Sequence, residues 1–339
     1  MPTQRRLRAG LALVVLPALI LGGCDGGTTS VPADADIALT FTNLPALDPA
    51  RDGALEIWLV DAAGAAHSAG KLTAGASGEV HVRSPIASPR SLRVTLEPPG
   101  DTDPAPSDAA VLAGHFSGRQ AHLRLDGAIL PEGAALEPDP GQFTMFTPSD
   151  NYLYGYPSHE YAGVWLFNAR PLTTKQNDSW VRMTPLSPGW VYEGWMVRDM
   201  GTPQAIWLSY GKFLPEAHGV VNQKDDTGWG PFSGVEDWRT MGDDNFPGDD
   251  WVGNPDNLPF PSALTLPVNL QEKTSAGAPR WTHVITVEPA RDRGEPIGSE
   301  RPLPLFMPYV DAFRVTNAGE PQAMTYHVEH LLSGEAVIR

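Results

Sequence analysis

The chain has 339 residues and a formal net charge of −16. That acidic balance argues against nucleic acid as a partner, because phosphates must be met by Lys and Arg. Cys24 is the sole cysteine, so no internal disulfide can staple the fold and the core must come from packing. The chain carries 34 Gly, 34 Pro and ten Trp, a composition that suits short strands and turns better than long helices.

The N-terminus reads as an address. Arg5, Arg6 and Arg8 precede an apolar run from Leu11 to Leu21, and Gly22-Gly23-Cys24 follows. A positive start, a short apolar stretch and small residues define a secretory signal. The run is too short to span a bilayer as a helix, which needs about 20 apolar residues. Leu21-Gly22-Gly23-Cys24 resembles the bacterial lipobox. The resemblance implies cleavage before Cys24, a diacylglyceryl thioether on its sulfur and acylation of the new amine. Several acyl chains on one residue would hold the protein firmly to a cell membrane or outer membrane surface. Residues 1–23 are thus expected to be a lipoprotein signal peptide and 24–35 a lipidated, flexible tether. Loss of the three arginines takes the formal charge to −19.

Strand-like runs begin at Ile37–Thr42 and continue at Leu55–Val60, Glu79–Val82, Leu92–Glu97 and Ala121–Leu125. Several alternate polar with apolar residues, as a half-buried strand does. Residues 127–150 are rich in Pro and Gly and read as a linker. Runs resume at Tyr161–Phe167, Trp180–Met183, Trp190–Val197, Ala205–Leu208, Thr282–Val287, Ala312–Thr316 and Ala323–Val328. No long apolar pattern has helical spacing; only Val328–Leu332 suggests a helical turn. The expected class is all-β: two tandem immunoglobulin-like β-sandwich domains, at 36–126 and 151–339.

An internal repeat supports the division. Glu56-Ile57-Trp58-Leu59-Val60 parallels Glu193-Gly194-Trp195-Met196-Val197. Gly70-Lys71-Leu72 parallels Gly211-Lys212-Phe213, and Thr95-Leu96-Glu97-Pro98 parallels Thr286-Val287-Glu288-Pro289. This order of motifs resembles the extracytoplasmic C-terminal domain of anti-sigma-K factors, over roughly 36–126 and more loosely over 160–312. The resemblance implies a related outer module, and it speaks to fold rather than activity. In that family a sigma-binding domain and a membrane helix precede the module. Here a lipobox stands in their place, so direct sigma inhibition is not expected. Trp58 and Trp195 are expected in the structural core; Glu56 and Glu193 lie two residues away on the same strand faces.

The copies differ in one interval. Glu56 to Glu97 spans 41 residues and Glu193 to Glu288 spans 95. The excess falls in an acidic, aromatic insertion at about 215–280. It includes Trp229, Phe232, Trp238, Phe246, Trp251 and Phe260 beside Asp243, Asp244, Asp249 and Asp250. Clustered carboxylates repel unless a cation or hydrogen bonds neutralise them, and hard oxygens suit Ca²⁺. The four aspartates are therefore candidate calcium ligands. The glycine register is not that of an EF-hand.

No His-Glu-x-x-His, Gly-x-Ser-x-Gly or Gly-Lys-Ser motif occurs, so no catalytic residue is nominated. His327-Val328-Glu329-His330 is the densest histidine group. The reading is a lipid-anchored, extracytoplasmic, non-enzymatic module for interaction or sensing at the cell envelope. Its expected partner is the membrane through its lipid, with an envelope protein or polysaccharide beyond it. A secreted calcium-binding or carbohydrate-active protein is the alternative.

Overall fold

A computed structural model describes residues 31–72, 78–145, 147, 160–166, 182–215, 221–225, 248–253, 257, 259–291, 301–303, 309–312, 321–327 and 331–339. Among the described residues seventeen strands dominate. The first seven are β1 (Asp36–Thr42), β2 (Ala54–Val60), β3 (Ala66–Lys71), β4 (Glu79–Arg83), β5 (Ser91–Glu97), β6 (Ala110–His115) and β7 (Gln120–Arg124). A single turn, α1 (Asp126–Ile129), follows, then β8 (Gln142–Met145) and β9 (Gly163–Trp165). The rest are β10 (Trp190–Arg198), β11 (Ile206–Pro215), β12 (Val221–Asp225), β13 (Gly248–Asp250), β14 (Trp281–Pro289), β15 (Tyr309–Ala312), β16 (Pro321–Ala323) and β17 (Ser333–Ile338). The fold is all-β.

The first module is one eight-stranded antiparallel sheet in the order β3-β2-β5-β6-β7-β17-β1-β4. Its two halves join through a single pair, Ala113 of β6 opposite Arg124 of β7. The edge strands β3 and β4 approach each other, so the sheet folds over on itself. Inside lie Ile37 and Leu39 of β1, Ile57 and Leu59 of β2, Leu92 and Val94 of β5, and Leu123 of β7, all buried. Strict alternation survives on β7, where Ala121 and Leu123 point inward and His122 and Arg124 outward.

The second module has a five-stranded sheet, β12-β11-β10-β14-β15, and a four-stranded sheet, β13-β9-β8-β16. Phe143 of β8 lies 4.1 Å, ring to ring, from His283 of β14, which puts the two sheets in contact. β10 and β14 bury side chains on both faces, so neither shows a polar-apolar alternation. The modules share one hydrophobic core cluster, with Leu96 and Leu112 from the first and Tyr192 and Trp281 from the second.

Three features depart from the sequence reading. The stretch 127–150 holds β8, a working strand of the second module, and is not only a linker. Residues 333–338 belong to the first module, where β17 pairs with both β1 and β7. The second module is therefore inserted within the first. The signal for β17 is weak because Ser333-Gly334 opens it, and glycine lowers strand propensity. Gly334 is needed there: a Cβ would meet the Thr40 carbonyl oxygen at 2.9 Å and the Phe41 ring at 3.0 Å.

Candidate functional site

The repeated motifs occupy identical places in the two modules. In the first, Glu56 of β2 faces Lys71 and Ile57 faces Gly70; a bulge at Ala69 then brings Trp58 opposite Ser68. In the second, Glu193 faces Lys212 and Gly194 faces Gly211; a bulge at Tyr210 then brings Trp195 opposite Ser209. On the other side Glu56 faces Thr95 of β5, as Glu193 faces Thr286 of β14. Gly70 and Gly211 have φ of 116° and 113°, a region that side chains avoid, which explains a glycine at both bulges.

A buried chain of hydrogen bonds accompanies this register. Trp58 Nε1 donates to Thr95 Oγ1 at 2.7 Å, and Thr95 donates to the Glu97 carboxylate. The Glu97 oxygens in turn accept the Ser107 backbone N–H at 3.1 and 3.2 Å. In the second module Trp195 Nε1 donates to Thr286 Oγ1 at 3.0 Å, Thr286 donates to Glu288 at 2.8 Å, and both Glu288 oxygens accept the Leu303 N–H at 3.1 Å. Each glutamate thus pins the segment that returns the chain after the Glu-Pro corner. Leaving a buried donor or acceptor of such a chain unmet costs about 1–3 kcal/mol, which accounts for the Trp, Thr and Glu together.

Glu56 and Glu193 have a different duty. Ser68 Oγ donates to Glu56, and Ser209 Oγ donates to Glu193 at 2.8 Å. The same serines accept the N–H of Gly70 and of Gly211. Lys71 Nζ donates to the Asp101 carbonyl and Lys212 Nζ to the Pro289 and Arg291 carbonyls, each tying down the chain around the Glu-Pro corner. Glu56 and Glu193 lie in different sheets, and the fold does not bring them together as a pair. Trp58 and Trp195 are 1% and 0% exposed. Both point to the sheet face opposite the main core; Trp195 packs in a small separate cluster with Val197 and Val284 and against Trp207.

Of the other nominated residues, two aspartates are described. Asp249 and Asp250 are buried on β13, which pairs with β9, and Asp249 Oδ1 accepts the Asp250 N–H at 2.7 Å. Asp243, Asp244 and Cys24 fall outside the described residues, as do Trp229, Phe232, Trp238 and Phe246. Trp251 is fully buried, so it offers no contact surface. Among the described residues no group of three or more His, Cys, Asp or Glu is placed to hold a metal ion. His327 is half-buried; Glu329 and His330 lie outside the described residues.

Charge is concentrated in a network at the β10–β14 end of the second module. Arg198 clasps Glu272 with two bonds of 2.8 Å, and Arg280 bridges Glu272 and Asp199. These guanidinium bonds hold both carboxyls below their ordinary range, so they stay ionised and occupied. A cavity of about 910 Å³ opens over the outer face of β1, β17 and β7, lined by Thr40, His122, Arg124 and Glu335 and walled by Leu136 and Leu331.

Residues 3–110 match the family described as anti-sigma-K factor rskA, C-terminal. The first module resembles that domain. The match starts upstream of β1, takes in the apolar run 11–21, and ends at the first residue of β6, so the anti-sigma-K likeness covers β1 to β5. The second module lies beyond it. No curated protein and no solved structure matches the chain. Among the described residues no helix is long and apolar enough to cross a membrane.

Sequence reasoning found Glu, Trp, Gly-Lys and Glu-Pro but missed Ser68 and Ser209. A Ser-x-Gly-Lys pattern was present in both copies and could have been found by extending the match two residues upstream.

Proposed function

We propose that this chain is a surface-tethered, extracytoplasmic interaction module built from two copies of an anti-sigma-K-like outer domain, with no catalysis of its own. One observation carries the reading. The Trp–Thr–Glu hydrogen-bond chain, the bulge and the strand register recur residue for residue in a second module that lies outside the family match. Every conserved element of the repeat is spent on holding strands and corners, and none converges on a cleft. The lipobox at Cys24 supplies the tether, and the partner is an envelope protein or polysaccharide.

Two measurements test it. Metabolic labelling with a fatty acid should mark the full chain and not Cys24→Ser, which should leave the membrane fraction. Crosslinking in intact cells should then trap an envelope component with the wild-type chain and far less of it with the released variant. Equal labelling of the two chains would end the tether reading. Turnover of an envelope substrate by the purified chain would end the non-enzymatic one.

A further inference from the structure

The first module has a direction that the strand registers define. Asp36, Gln120 and Ile338 share one end of the β1–β17–β7 ribbon, and Thr42, Arg124 and Ser333 share the other. The chain enters the module at the first end, where Val31 N–H bonds Ser88 Oγ at 3.0 Å. It leaves after Arg124 and returns at Ser333, both at the second end. Contacts with the second module lie at this second end too. Trp190 Nε1 donates to the Ala110 carbonyl at 2.9 Å and Arg291 to the Asp52 carbonyl at 3.3 Å. Gly189 abuts Asp108 so closely that a Cβ would stand 2.6 Å from its carbonyl carbon.

The two ends differ in charge. Arg83, Arg90 and Arg119 are exposed at the entry end. Arg83 and Arg119 donate to the Asp34 and Ile338 backbone carbonyls, so their charges are not cancelled by those bonds. Among the acids at this end, Asp36 is engaged by His81 and Asp61 by His67; Asp34 is exposed. Exposed Ala62, Ala63 and Ala65 form a small apolar tip beside them. The opposite end carries Asp48, Asp52, Asp101, Asp103 and Asp108 beside Arg51, Lys71 and Arg124, with Arg291 of the second module against Asp52.

Cys24 and Val31 are seven residue steps apart. Fully extended, they reach about 25 Å. A lipid on Cys24 would therefore let the entry end reach the anionic surface potential, which decays over a Debye length of about 8–10 Å. The arginine end is drawn in and the aspartate end pushed out.

We propose that the end of the first module bearing Arg83, Arg90 and Arg119 seats on anionic lipid headgroups, so that the inserted second module projects away from the membrane. This rests on the tether reading above. It makes the second module the part presented to a partner and the first its oriented base.

The test uses the full lipidated chain in vesicles. With Cys24 acylated, Ala87→Cys at the entry end and Gln204→Cys in the far turn of the second module each give a single labelling site. A fluorophore on each is read against a quencher carried on lipid headgroups. In phosphatidylglycerol-containing vesicles the label at 87 should be quenched several-fold more than that at 204. The difference should collapse in phosphatidylcholine vesicles, in high salt, and in Arg90→Glu, whose side chain holds nothing else in place. Equal quenching at both sites in the anionic vesicles overturns the proposal, as does a difference indifferent to lipid charge and to Arg90→Glu. If the full chain does not co-sediment with vesicles at all, the tether reading itself has failed and this inference falls with it.

Discussion

Below pH 6.5 an exposed histidine takes up a proton, but His283 sits in the core of the second module, hydrogen-bonded to the Tyr210 hydroxyl at 2.9 Å and against the Phe143 ring. Burial pushes its pKa down to about 3. The unfolded chain, with an ordinary imidazole, binds a proton that the folded chain refuses. Stability is therefore complete above the unfolded value near 6.5 and falls as pH drops toward 3, by about 1.4 kcal/mol per unit. Unfolding free energies from urea titration should drop between pH 6.5 and 4.5 for the wild type by roughly 2–3 kcal/mol more than for His283→Gln, which keeps a partner for Tyr210 but does not titrate. Parallel decline of the two proteins would clear His283 of the effect. His81 has the opposite sign: its hydrogen bonds to the Asp36 and Glu79 carboxylates raise its pKa, so whatever it adds is lost as pH rises. Neither role was legible in the sequence, where both histidines stand in strands that look alike; burial depends on which sheet covers the strand, and that is a tertiary fact.

The repeat shows how an element conserves geometry while exchanging volume. At the bulge, the first module sets Ile57 on the inner strand beside Ala69, and the second sets Gly194 beside Tyr210. The large side chain has changed strands. Gly194 has no room for even a methyl, since a Cβ would stand 1.7 Å from the Tyr210 ring. Gly194→Ala should therefore cost about 1–3 kcal/mol by overpacking. Tyr210→Ala should cost about 3–5 kcal/mol, through the cavity and the lost bond to His283. The double variant should cost less than the sum by about 1–3 kcal/mol, because each change relieves the other. Denaturant titration of the four proteins measures this; strict additivity would show that the glycine is there for another reason. Much of this level was readable. The Glu-x-Trp and Glu-Pro signatures located β2, β5, β10 and β14, because a central strand covered on both faces is apolar along its length. β3 and β17 were not, since Ser, Gly and His dilute their patterns, and neither was β8, four residues long in a stretch rich in Pro and Gly; only their pairings reveal them.

At the scale of the whole molecule, the order in which strands pair differs from the order in which they are made. β17 fills the slot between β1 and β7, and its last residues are fastened twice: the Ile338 carbonyl accepts Arg119 Nε at 2.7 Å, and the Arg339 N–H reaches the Asp36 carbonyl at 2.8 Å. Nothing local in the sequence announces that the final strand closes the first module, because no turn motif or charge pattern encodes a partner some 290 residues away. The consequence is that the first module, synthesised first, cannot complete its sheet until β17 has been made. Deleting residues 333–339 should expose Leu39 and Leu123 and leave two strand edges unpaired. Hydrogen exchange should then lose protection across β1 and β7 while β10 and β14, which pair with each other over nine residues, retain more of theirs. A loss spread equally over both modules would mean that the shared core makes them one cooperative unit. The decisive control moves the strand instead of removing it. Placed ahead of Asp36 through a tight turn, residues 331–339 would pair with β1 as a hairpin, since Arg339 and Asp36 already touch. Such a permuted chain should recover protection in β1 and β7. If it does not, β17 contributes something beyond pairing, and the insertion of the second module between β7 and β17 is itself required for the first to fold.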